Sequence, residues 1–165
     1  MTVIRMSDVE EFSPLDVIEQ IVAANDWAFD RLSDEEMAVQ VPGKWCDYNV
    51  FCAWDENVGA VHFTVAFDTR VPKTRRAPVH ELLALINDKM WMGHFAIWQE
   101  EGLAYRHALP LRGSGGPSLE QVEDLLQNAL IDCERFYPAF QYVVWGGKSA
   151  ADALAAAMIE CVGEA

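Results

Sequence analysis

SLEQVEDLLQNALIDCERFYPAFQYVVW, residues 118–145, is the longest run of helical periodicity in the chain. Its apolar residues Leu119, Val122, Leu126, Ala129, Leu130, Cys133, Phe136, Tyr137 and Phe140 recur at spacings of three and four, so they line one face of a helix. Glu120, Glu123, Asp124, Asp132 and Glu134 make the other face acidic. Such a helix draws most of its stability from burying its stripe, and a sheet is the surface expected to receive it. Ser118 with Gln121 forms a capping box that opens it. Pro138 removes one hydrogen bond and is expected to kink or split the helix. Residues 118–137 then read as scaffold. Phe140–Trp145 and the chain beyond carry more apolar surface than one stripe buries, and a partner contact is expected there.

Upstream, Ser13-Pro14-Leu15-Asp16 reads as a helix start, with Leu15, Ile18, Ile21 and Val22 as the buried stripe. From Trp27 the period changes to two. Trp27 and Phe29 begin a short strand; Met37, Val39 and Val41 mark a second. Tyr48, Val50, Cys52 and Trp54, with Cys46, share one face of a third, and Val61, Phe63, Val65 and Phe67 alternate through a fourth. The short turns between them predict an antiparallel meander. A basic loop at 69–74 leads to a helix from about Arg75 to Met92, closed by Gly93. Strands follow at His94–Gln99 and Leu103–Leu111, then a Gly-rich loop at Arg112–Pro117. After the long helix, Gly146-Gly147 breaks the chain and Ser149 with Asp152 caps a last, Ala-rich helix. The order α-β-β-β-β-α-β-β-α-α predicts an α+β domain, an antiparallel sheet with helices packed on it. It spans residues 13–162, preceded by an N-terminal tail at 1–12.

A 165-residue chain is long enough for a substantial core. Its formal net charge of −14 argues against nucleic acid and anionic membrane as partners, since both need clustered Lys and Arg. The one basic concentration, Arg70, Lys73, Arg75 and Arg76, reads as a solvated loop or as a docking patch for an acidic ligand. Cys46, Cys52, Cys133 and Cys161 contain no CxxC pair, and the N-terminal stretch has no signal-length apolar segment. A cytoplasmic, reduced protein is expected.

Catalytic chemistry has little to rest on. Gly146-Gly147-Lys148-Ser149 resembles the end of a phosphate-binding loop, but Tyr142 stands where that motif needs glycine. Gly113, Gly115 and Gly116 precede a helix start whose Glu120, Glu123 and Asp124 repel an anion. His62, His80, His94 and His107 lack local metal-ligand spacing. No catalytic residue, cofactor or metal is therefore expected. Trp45, Phe51, Trp91, Trp98 and Trp145 do not all fit the core faces; they read as protein-binding contacts, or as a second small core under a helix.

Pro14-Leu15-Asp16-Val17-Ile18, Trp45-Cys46-Asp47-Tyr48, Ala60-Val61-His62-Phe63-Thr64 and His80–Asn87 with Gly93-His94-Phe95 resemble the YbjN domain family, as do Glu134–Gln141 and Trp145–Ser149. The resemblance implies a regulator with a fold similar to type III secretion chaperones, which are small, acidic, often dimeric proteins that bind segments of other proteins. The expected function is accordingly a non-catalytic protein-binding module, chaperone-like or regulatory, acting as a homodimer with an unidentified protein partner. The alternative is a small-molecule-binding domain or enzyme with a pocket between the sheet and the long helix, lined by His107, Tyr105 and Cys133.

Overall fold

The computed structural model describes residues 13–163, with side chains through Glu160. The expected tail at 1–12 and the side chain of Cys161 lie outside the described residues. In chain order the elements are α1 (Pro14–Ala24), β1 (Ala28–Arg31), β2 (Glu36–Pro42), β3 (Asp47–Asp55), β4 (Ala60–Arg70), α2 (Arg76–Asn87), β5 (His94–Trp98), β6 (Gly102–Pro110), α3 (Leu119–Val144) and α4 (Ala150–Gly163). The α+β class and the element order are those the sequence predicts.

The six strands form one antiparallel sheet in the order β1-β2-β3-β4-β6-β5. The alternation seen in the sequence sets its two faces. Met37, Val39, Val41, Tyr48, Val50, Cys52, Phe63, Val65, Leu103 and Tyr105 point into one core shared with α1, α2 and α3. Helix α4 packs on α2 and α3 through Ala150, Ala153, Leu154 and Ala157, whose small side chains let the helices approach closely. Among the described residues no helix covers the opposite sheet face.

The predicted capping box is formed: the Ser118 hydroxyl accepts from the Gln121 N–H at 3.0 Å, and the Gln121 side chain accepts from the Ser118 N–H at 2.9 Å. Other boundaries move. Helix α3 is not split at Pro138 but continues to Val144. The apolar surplus beyond Pro138 is largely used within the fold, since Phe140, Val143 and Val144 are buried and α4 folds back on α3; Trp145 remains outside. Helix α2 stops at Asn87 rather than Met92, because the Asn87 amide pairs with edge strand β5, donating to Phe95 O at 3.0 Å and accepting from Phe95 N–H at 2.8 Å. A side chain thus fills the hydrogen-bonding positions a further strand would take. Strand β4 runs through Arg70, past the expected start of the basic loop, and the cluster is largely engaged. Arg75 donates from Nε to Val143 O at 2.9 Å, satisfying a carbonyl at the end of α3, and from Nη2 to Lys148 O in the α3–α4 connection at 3.3 Å. Arg76 donates to Glu100 O, and Arg70 lies 3.7 Å from Glu101.

Candidate functional site

A proline inside a helix leaves the carbonyl four residues earlier without its N–H partner. Here that carbonyl belongs to Glu134, and the indole Nε1–H of Trp45 donates to it at 3.1 Å. Trp45 sits in the β2–β3 turn, which Gly43 closes with a bond from its N–H to Cys46 O at 2.9 Å. The Lys44 N–H donates to Glu134 Oε1 at 2.7 Å, so the turn grips Glu134 by its carbonyl and its carboxylate. The Trp45 ring lies parallel to that of Tyr137, with centroids 6.1 Å apart, and the Lys44 ammonium sits 4.7 Å from the Trp45 ring centre. Trp45 is thereby a partly exposed aromatic wall held in a fixed orientation.

Beside it runs a groove of about 600 Å³ between the turn, α3 and the end of α4. Val41, Pro42, Trp45, Leu130, Ile131 and Pro138 give it apolar walls, and Lys44, Glu134, Arg135 and Glu160 set charges along it. Ile131 is 54% exposed there. Polar groups gather behind the turn: Tyr137 donates to Asp68 Oδ1 at 3.0 Å and Gln141 to Thr69 Oγ1 at 2.7 Å. The Tyr48 hydroxyl and Glu134 Oε2 are buried and find no hydrogen-bond partner among the described residues. Burial pushes the Cys46 thiol up to about 11; burial alone takes Cys52 to about 12 and, with Asp132, raises Cys133 well above the ordinary value. Thiols so shifted stay protonated at neutral pH and are poor nucleophiles. Cys46 itself lies ahead of β3, not on the strand face it was expected to share.

The five expected contact residues are not brought to one surface. Phe51 and Trp98 meet, their rings 5.5 Å apart, on the uncovered face of the sheet. Trp91 is fully exposed in the α2–β5 connection, at the opposite end of β5 from Trp98, and Trp145 is 71% exposed at the C-terminus of α3. The alternative pocket residues fare differently: Tyr105 and Cys133 are sealed in the core, with the Tyr105 hydroxyl donating to Met92 O at 3.0 Å, while His107 is half-buried. They do not line an open pocket. Among the described residues no group of three or more His, Cys, Asp and Glu is placed to hold a metal, and no helix is long and apolar enough to cross a membrane. The groove's Val41, Pro42, Leu130 and Ile131 were not identified from sequence. Pro138 was the available signal, since it announces a carbonyl in need of a donor.

The model of the YbjN family, described as "Putative bacterial sensory transduction regulator", matches residues 14–142. The chain belongs to the YbjN family. That match includes Trp45, Glu134 and Pro138, so the whole turn–helix clasp lies within the YbjN region. Among solved structures the chain is similar to "YbjN, a putative transcription regulator from E. coli", with 14% identity, a TM-score of 0.53, and coverage of 73% of this chain and 85% of that one. At that identity the likeness is one of fold. No curated protein matches the chain.

The clasp makes a prediction of its own. Trp45→Phe keeps the ring and removes the donor, and should cost about 1 kcal/mol in urea unfolding. In a Pro138→Ala background the restored N–H serves the Glu134 carbonyl, so the same substitution should cost measurably less. Equal losses in both backgrounds would show that the indole bond does not compensate for the proline.

Proposed function

We propose that the chain is a non-catalytic protein-binding module of regulatory type, working as a cytoplasmic homodimer and docking a partner segment in the groove beside Trp45. The observation that carries the reading is the groove itself: apolar walls, an aromatic side chain held rigidly, and charges along its length, the make-up of a protein contact. The regulator description of the YbjN family agrees with it in kind. The segment that fits is amphipathic, with an apolar side chain on Trp45 and Ile131 and polar groups toward Lys44, Arg135, Glu134 and Glu160.

Photo-crosslinking from position 131 in the groove tests this, with position 120 on the acidic face of α3 as the comparison. A discrete crosslinked product from 131 and none from 120 supports groove docking. A product at twice the chain mass identifies a second copy as the occupant; indistinguishable patterns from the two positions overturn the reading. The dimer expectation is tested separately at Trp145. Being 71% exposed, Trp145→Ala should change stability by no more than about 0.5 kcal/mol. If Trp145 is a dimer contact, the same substitution should weaken self-association by about tenfold or more in sedimentation equilibrium. Lost stability with unchanged association would remove Trp145 from the interface.

A further inference from the structure

The uncovered face of the sheet carries a cationic group that no anion answers among the described residues. Register places Ala38, Phe51, Thr64, Arg106 and His94 in one row across β2, β3, β4, β6 and β5, and His62 beside it on β4. The row points away from the helices, because Leu103 and Tyr105 on the same strand point into the core. Arg106 is half-buried, its Nε is buried without a hydrogen-bond partner, and among the described residues it forms no ion pair. The chain has 26 carboxylate residues and a net charge of −14, yet among the described residues none is paired with this guanidinium. A guanidinium partly removed from water is costly unless an anion answers it. Its neighbours on the face are polar: Thr64 Oγ1 lies 3.5 Å from His62 Nδ1, and burial, with the nearby Arg106, holds the His62 pKa below its ordinary value, so the ring stays neutral and leaves the guanidinium unanswered.

Beside the cluster lies apolar surface. Trp98 on β5 reaches Phe51 on β3 although two strands separate them, so its indole crosses the sheet, and the outward-facing Ala66 and Ala104 are buried as its floor. Shallow hollows of about 410 and 350 Å³ lie at the Trp98 and Phe51 ends. We propose that this face binds an extended, acidic segment of a protein partner, with a carboxylate on Arg106 between His62 and His94 and, two residues along on the same side of the segment, an apolar side chain on the Phe51–Trp98 pair. Arg suits this role because its planar fork binds a carboxylate through two parallel bonds. A free small anion is held by converging walls, which this face lacks. Asp30, Glu36, Asp55 and Glu101, around the margins, repel an acidic segment laid elsewhere and so favour one register. The proposal concerns the face opposite the helices, and stands or falls independently of the Trp45 groove.

The test titrates the full chain with acetyl-Ser-Glu-Ser-Phe-Ser-amide, whose Glu and Phe share one side when extended, and follows amide, imidazole and guanidinium signals by NMR. The expected result is saturable shifts at His62, Thr64, His94, Arg106 and Trp98, with the Gln-for-Glu peptide binding about tenfold more weakly or worse. Arg106→Gln should give a similar loss for the acidic peptide, and Arg106→Lys a smaller one. Should Arg106→Gln fail to fold, the two-peptide comparison on the natural chain decides. Equal binding of both peptides, or shifts confined to Trp45 and Ile131, overturns the proposal. Inorganic phosphate shifting the same signals as tightly as the acidic peptide also overturns it, in favour of a small-anion site.

Discussion

Phe95→Ala is expected to destabilise the protein by about 3–5 kcal/mol, the usual cost of truncating a fully packed phenylalanine. Phe95 is 1% exposed, and its ring meets those of Phe67, Tyr105, Phe136 and Phe140 at centroid distances of 5.9, 5.5, 5.8 and 5.5 Å. Three of these contacts are edge-on or nearly so, the arrangement in which ring quadrupoles attract. The neighbours come from β4, β6 and α3, so the cavity would open where the sheet meets the long helix. Collapse is hindered because Asn87 pins the Phe95 backbone from α2. At roughly 2–4 °C per kcal/mol for a chain of this size, thermal unfolding should show a midpoint lowered by roughly 10 °C. Phe95→Leu, which fills part of the space, should lose less than half as much. A loss below about 1.5 kcal/mol for the alanine variant would mean that the aromatic cluster is not the centre of the core.

Gly43→Ala is expected to cost about 3 kcal/mol, the upper end for one added methyl in a site that cannot yield. A Cβ there would collide with Glu134 Oε1, the Tyr48 ring and the Cys46 carbonyl. The carboxylate is held by the Lys44 N–H, the Tyr48 ring is fully buried, and the carbonyl is the acceptor that closes the turn. None of the three can step aside without breaking the clasp on Glu134. Gly147→Ala provides the contrast: its φ is +64 but nothing lies within 4 Å, so only the left-handed backbone penalty of about 1 kcal/mol applies. Urea unfolding of both variants should give the larger loss at position 43, accompanied by a change in Trp45 fluorescence that Gly147→Ala lacks. Equal losses with an unchanged Trp45 signal would show that the turn is not tightly packed against α3.

The order of elements was legible because each carries a local signal. The α3 stripe and its capping box, Pro14 at a helix start, and the two-residue alternation from Met37 to Phe67 all act over a few residues, which is the range of backbone and side-chain geometry. The same alternation identified Phe51 as outward-facing. The exact ends were less legible where a distant partner sets them. Helix α2 stops where the Asn87 side chain engages β5, and the Glu134 carbonyl that Pro138 leaves open in α3 takes its donor from Trp45, 89 residues before Glu134.

The sites depended more heavily on such distant contacts. Composition marked Trp45, Phe51, Trp91, Trp98 and Trp145 as surplus to the core, but only strand register and helix packing show that Phe51 and Trp98 meet while Trp91 and Trp145 stand apart. Arg106 is one of 12 basic residues in the sequence, with nothing local to single it out. Its significance comes from neighbours on β4 and β5 and from the absence of a paired carboxylate among the described residues. The sequence by itself determined the α+β class, the helix and strand order, and the inward faces of β2, β3 and β4, because those follow from periodicity within single segments. Only the tertiary structure decided that a tryptophan answers a proline's orphaned carbonyl beside a groove, and that among the described residues an arginine on the open sheet face has no paired anion, because both depend on groups that are neighbours in space but remote along the chain.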